Sequence, residues 1–127
     1  MSRLITIYEQ YLSECNARRF DAASSFLHDN IEVNGRSLGA SQFGQVLAGL
    51  IETVPDFRWE LIDHVTNGEK LAARIRTTGT PRAEWMGIAP NGKAVSVTEL
   101  VFYTFKDEKI AEIWVLFDLP ALKAQMA

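Results

Sequence analysis

The chain has one cysteine, two histidines and four prolines among 127 residues, and each scarcity closes a class of explanation. The single thiol, Cys15, forms no internal disulfide, which excludes a stapled secreted scaffold and makes the reducing cytoplasm the expected location. Two histidines without a Cys/His cluster at ligand spacing leave no metal site to expect, and no phosphate loop, nucleotide fingerprint or Gly-x-Ser-x-Gly elbow is present. A cofactor-free protein is the expectation. Beyond Arg18 and Arg19 there is no basic run, and the net charge is −3, so a phosphate-tracking surface for nucleic acid is not expected. No apolar run approaches the roughly 20 residues of a membrane span. The N-terminal stretch is interrupted by Arg3, Glu9 and Gln10 and lacks a small-residue cleavage site, so a soluble, unprocessed chain without a membrane partner is expected.

What is present is an ordinary globular balance: 47% hydrophobic and 23% charged residues. One domain spanning 1–127 is expected, burying about two-thirds of its unfolded surface. Leu4, Tyr8, Tyr11, Leu12 and Cys15 form one apolar stripe of a first helix ending near Asn16. Asp21 is placed to cap a second, short helix carrying Ala22, Phe26 and Leu27, broken by His28, Asp29 and Asn30. His28 at that helix end is read as satisfying its terminal carbonyls. A short edge strand over 31–34 and a turn over 35–39 follow. Ser41 then caps a third helix with Phe43, Val46, Leu47, Leu50 and Ile51 on one side, closed by Pro55.

Everything beyond is strand-like: 57–65, a turn at Asn67 and Gly68, 71–80, a loop through Pro81, Gly87, Pro90 and Gly92, then 93–105 and 110–118. A last turn or two of helix fits 119–126. Helices first and strands after indicate an α+β class, with helices on one face of an antiparallel sheet. The last two strands are apolar on both faces. Val95, Val97, Val101, Tyr103 and Phe105 alternate with Leu100 and Phe102, and Ile113, Val115 and Phe117 alternate with Trp114 and Leu116. One face packs on helices and lines a cavity. Nothing in a chain this short covers the other, which points to a homodimer through the sheet.

The second half resembles the SnoaL-like polyketide cyclase family, of the nuclear-transport-factor-like group of α+β barrels. The residues that carry the resemblance are Pro55-Asp56-Phe57, Gly79-Thr80, the run Gly87-Ile88-Ala89-Pro90-Asn91-Gly92-Lys93, and Asp107 to Ile110 with Glu112, Trp114 and Asp118. The resemblance implies a cone-shaped half-barrel, a curved sheet wrapped around N-terminal helices with a central pocket, commonly dimeric. Ring-closing members are attributed an aspartate, a histidine, a glutamine and an asparagine. The matching positions here are Val115, Val101, Glu99 and Val33, and a frequent histidine is replaced by Pro81. Valine neither gives nor takes a proton, so the fold is implied while the acid-base mechanism of those members is not.

Glu99 alternates with Val97, Val101 and Tyr103, which aims its carboxylate at the apolar side. There it is either a proton-transfer group or, near the mouth, the partner of Arg74 or Arg76. Its neighbours depend on the turn at Asp107 and Glu108. A two-residue loop sets Glu112, Trp114, Leu116 and Asp118 beside it; a three-residue loop sets Ile113, Val115 and Phe117 there. The second matches apolar with apolar and is expected. Asp63 alternates with Phe57, Trp59, Leu61 and Val65, and either pairs with Arg74 or converges with Glu99 as a second catalytic carboxylate. Tyr8, Tyr11, Val33, Trp59, Arg74, Val101, Tyr103, Val115 and Phe117 are expected along the pocket, with Trp85 as a lid in its loop, while His64 falls on the opposite face. Two functions stay open. One is a cofactor-free isomerase, cyclase or hydrolase acting on a small apolar carbonyl compound; the other is a non-catalytic binder of a small apolar molecule.

Overall fold

The computed structural model describes residues 3–127. Its elements run α1 (Arg3–Asn16), α2 (Phe20–Ser24), β1 (Leu27–Val33), β2 (Arg36–Gly39), α3 (Ala40–Thr53), β3 (Arg58–Asn67), β4 (Lys70–Gly79), β5 (Val95–Lys106), β6 (Lys109–Phe117) and α4 (Leu119–Gln125). The stripe Leu4, Tyr8, Tyr11, Leu12 and Cys15 is the buried face of α1, as helical spacing requires. At the end of α1 the Asn16 amide donates to the Trp59 carbonyl and accepts from the Trp59 N–H, both at 2.9 Å. The Arg18 guanidinium donates to the carbonyls of Pro55 (2.9 Å) and Phe57 (2.6 Å). These bonds fix α1 across the start of β3.

The strands form one curved, unclosed sheet in the order β2-β1-β6-β5-β4-β3, an α+β cone of the expected class. Its pairs are antiparallel except β1 with β6, which is parallel. The second helix is shorter than the sequence suggests, and Asp21 lies in its first turn instead of capping it. Residues from Leu27 onward join β1 because the Ile110 N–H donates to the Phe26 carbonyl at 2.9 Å and β6 recruits the segment into the sheet. His28 Nε2 sits 2.7 Å from the Lys106 carbonyl, bridging to the end of β5 and not to a helix terminus. The supposed turn over 35–39 shrinks to Asn34 and Gly35, both with positive φ, and Arg36–Gly39 is the true edge strand. Helix α3 starts at Ala40, with the Gly39 N–H held by the Gln42 side chain at 2.9 Å, so Ser41 is not its cap.

Two bulges decide which side chains face the helices. In β3, Leu61 pairs with Ile75 but Asp63 pairs with Arg74; Ile62 is the extra residue, and the strand turns over there. Gly68 and Glu69, with Gly68 at φ +62, form the connecting turn, one residue later than expected. In the β5–β6 hairpin the loop has two residues, Asp107 and Glu108, both left-handed, between paired Lys106 and Lys109. A bulge at Ala111 then restores the facing that the three-residue loop was expected to give. Tyr103 meets Ile113, Val101 meets Val115 and Glu99 meets Phe117. The register was right; the device was a bulge two residues beyond the turn.

The short motifs of the sequence prove to be fasteners. A Cβ on Gly79 would come within 2.4 Å of Val54 Cγ1, so only glycine lets the end of β4 lie on that fully buried valine. Asp56 Oδ1 accepts the Thr80 N–H at 2.7 Å, a bond that holds its pKa below the usual carboxylate range. Asp118 caps α4 by accepting from the Ala121 N–H at 3.1 Å. No helix among the described residues is long and apolar enough to cross a membrane.

Candidate functional site

Between the inner face of the sheet and helices α1 and α3 lies a cavity of about 60 Å³. Helical spacing brings Tyr8, Tyr11, Leu12 and Cys15 of α1 to one wall. Strand alternation brings Glu99, Val101 and Tyr103 of β5 to the opposite wall, with Ile113 and Val115 beside them on β6. Trp59 of β3 and Phe43 and Leu47 of α3 complete it.

Glu99 is the one ionisable carboxyl at this cavity. Among the described residues it accepts no hydrogen bond and forms no ion pair, and burial is the only influence on its acidity, raising its pKa from 4.5 to about 7. The expected alternative, a pair with arginine, is not made. Arg74 holds Asp63 on the other face of the sheet, and Arg76 donates to Ser96 Oγ at 2.9 Å. A carboxyl that has lost water and gained no counter-charge holds its proton more tightly, and a pKa near neutral suits a group that both takes and returns one.

The hydroxyls around it stay protonated. Tyr103 donates to Tyr8 at 3.3 Å, with the two rings 4.8 Å apart. Burial raises both phenols well above their ordinary range, and the nearby Glu99 charge adds to the effect. Tyr11 is raised in the same way, and the Cys15 thiol beside it is pushed up to about 12. Having accepted from Tyr103, the Tyr8 hydroxyl keeps its own proton free to donate. The site thus offers one proton carrier and neutral donors inside an apolar shell. No lysine, arginine or histidine borders it. No group of three or more His, Cys, Asp or Glu side chains among the described residues converges to hold a metal ion.

Other expected site residues lie elsewhere. Asp63 and Arg74 stand on the outer face, joined at 3.1 and 3.2 Å, because the bulge at Ile62 turns Asp63 away from the cavity. Asp63 and Glu99 therefore do not converge. Trp85 is no lid: its ring is buried against Phe57 and Phe117, at centroid distances of 5.9 and 5.6 Å. Trp85 and Phe117 form core beyond the cavity, and Val33, on β1 beside Ile113, does not border it either. Tyr8, Tyr11, Trp59, Val101, Tyr103 and Val115 border it. Phe43, Leu47 and Cys15 were not singled out in the sequence as pocket residues. Their signal was there, since each belongs to an apolar helical stripe, but a stripe does not say whether it meets a solid core or a hollow.

The outer face carries a second, open hollow of about 750 Å³, lined by Leu100, Phe102, Trp114 and Leu116 with Asp63, His64 and Arg74 at one side. Leu116 is 71% exposed.

A sequence model of the SnoaL-like polyketide cyclase family matches residues 5–126. This chain belongs to that family. A SnoaL-like polyketide cyclase from Agrobacterium tumefaciens is similar over its whole length, with 35% identity, full coverage of both chains and a TM-score of 0.93. TsrD from Streptomyces laurentii shares the fold at a TM-score of 0.90 and 23% identity, covering 100% of this chain and 98% of its own. No curated protein sequence matches. In this SnoaL-like protein Val115 and Val101 are register partners on the cavity wall, and Glu99 stands beside Val101 on the same face of β5.

Proposed function

We propose that this SnoaL-like protein binds a small, neutral, apolar carbonyl compound in the cavity beside Glu99 and moves a proton on it without a cofactor. The observation that supports this is an unpaired, half-buried carboxyl whose pKa is raised to about 7, facing a cavity that holds phenol donors and no cation. In the step proposed, the Glu99 carboxylate removes a proton from the carbon next to the carbonyl. The electron pair of that C–H bond moves onto the carbonyl oxygen, which the Tyr8 hydroxyl stabilises by donating a hydrogen bond. Where a C=C bond is conjugated with the enolate, Glu99 returns the proton to its far carbon, giving an isomer; otherwise the enolate carbon bonds to a second carbonyl carbon of the ligand, whose oxygen takes the proton back from Glu99. Tyr103 orients Tyr8. Valines and aromatic rings keep water out, so the charge on the oxygen is not screened.

The direct test is deuterium exchange into a simple enolisable ketone in deuterated water, followed by proton NMR. Exchange above the buffer rate, abolished in Glu99→Gln, is expected. Exchange that survives Glu99→Gln would remove Glu99 from the chemistry. A second reading, a non-catalytic binder, is favoured by Val101 and Val115 standing where ring-closing relatives carry acid and base. Ketone binding with no exchange in the native chain would establish it.

For the outer face we propose a second copy of the chain in a reducing cytoplasm. The hollow is apolar at its centre, and its surroundings carry both signs, with Asp63 and Glu112 against Arg74 and Lys70, so the same patch rotated onto itself can match unlike charges. Sedimentation showing only monomer at tens of micromolar would exclude this dimer.

A further inference from the structure

The cavity beside Glu99 has room for about two waters, well short of the several hundred Å³ of an ordinary small-molecule site, so a ligand of any size has to displace a wall. The walls differ in how firmly they are held. Tyr8, Tyr11, Leu12, Cys15 and Trp59 are buried, and β5 and β6 lie inside the sheet, paired on both sides. Phe43 and Leu47 are only half-buried. Their helix, α3, has no charged residue before Glu52 and a single fully buried residue, Ala40, while Val46 is 58% exposed.

Both ends of α3 are anchored. At the start, the Gly39 N–H is tied to Gln42, and the buried Ala40 accepts on its carbonyl from Ser24 Oγ of α2 at 3.5 Å. At the end, Val54 is fully buried and the Arg82 N–H donates to the Thr53 carbonyl at 2.8 Å. Between these anchors stands Gly49, where an added Cβ would meet nothing within 4 Å. Packing does not demand glycine there, and glycine inside a helix weakens it relative to alanine. The helix is thus soft between two fixed points, and the soft stretch carries Leu47 of the cavity wall.

We propose that residues 43–51 of α3 are the yielding wall of the Glu99 cavity, and that Phe43 and Leu47 set the length of the neutral carbonyl compound it admits. The inference rests on the reading of this cavity as a ligand site and adds the residues that select the ligand. Entry pushes the middle of α3 outward while its ends stay anchored. The sheet and α1 keep Glu99 and Tyr8 in place.

Methyl NMR on the full chain, with valine and leucine methyls labelled, tests this using 2-butanone, 2-hexanone and 2-octanone as probes. Shifts at Val101 and Val115 report occupancy of the cavity. In the native chain the gain in affinity should stop short of the longest ketone. In Leu47→Ala it should continue further up the series, each added methylene that finds room tightening binding by about fourfold. Phe43→Ala should act in the same direction and serves if Leu47→Ala does not fold. Gly49→Ala borders no ligand and should slow the exchange of 2-octanone by stiffening the helix. If 2-butanone shifts Val101 and Val115 but the chain-length profile is the same in the native chain and both alanine variants, the wall proposal is overturned and the ligand site stands. If no ketone shifts those valines in any variant, the ligand-site reading fails and the wall proposal fails with it.

Discussion

The two faces of the sheet use the same residue types to opposite ends. On the inner face Glu99 lies among tyrosines and valines with no cation or donor on its oxygens, and its pKa rises to about 7. On the outer face Asp63 takes a two-point contact from Arg74, and Glu112 accepts from Thr104 and Trp114, each at 3.1 Å. One carboxyl has lost water without compensation; the others are compensated in reach of solvent. A carboxyl's chemistry here follows from which side of the sheet it occupies, and one bulge residue moves it across. Ile62 sends Asp63 outward, and Ala111 keeps Val115 and Phe117 on the same side as Glu99.

The largest effect that separates the faces is expected outside. Leu116→Glu places a charge at the centre of the proposed dimer contact and should weaken association by at least about a hundredfold, or about 3 kcal/mol, as seen by sedimentation. The monomer's own unfolding should hardly change, since Leu116 is exposed within one chain. Unaltered association would break the outer half of the comparison.

Inside, stability itself should report Glu99. Its folded pKa is raised, so the native state holds a proton that the unfolded chain releases. Stability should be greatest below about pH 4.5 as far as this group is concerned, fall as pH rises from about 4.5 to about 7, and level off above. The full loss is on the order of 3 kcal/mol. Urea unfolding of Glu99→Gln should lack that slope, matching the native chain near pH 4 and exceeding it at pH 8. Parallel curves for the two proteins would show that Glu99 is not short of water.

Two smaller effects sharpen the contrast. Tyr103→Phe removes the buried donor to Tyr8 and should cost about 1 kcal/mol in the same assay. Asp63→Asn breaks an exposed pair and should cost below about 0.5 kcal/mol, less still at high salt. An Asp63 effect larger than that of Tyr103 would reverse the ranking of the two faces.

Much of this could be read from residue order. The stripe of α1, the two-sided apolar strands and the inward alternation of Glu99 all follow from periods of 3.6 and 2, which are properties of the chain itself. Asp63 was misplaced because alternation assumes an unbroken ladder. Ile62 carries no glycine or proline to announce a bulge. The first strand was misjudged for a related reason: His28, Asp29 and Asn30 look like a helix break, yet β6 supplies a parallel partner that is distant in sequence. An aromatic in the loop from Pro81 to Gly92 suggests a lid, but the ring of Trp85 is drawn into the core between Phe57 and Phe117.

The order of residues alone determined the family, the α+β class and the presence of one carboxyl on an apolar face, since these depend on local periodicity and short motifs. Only the folded chain decided that this carboxyl goes unpaired, that Asp63 does not join it and that the hollow between Glu99 and the helices is small. Those outcomes depend on where bulges fall and on which distant side chains fill the space, and both are settled by packing between segments far apart in sequence.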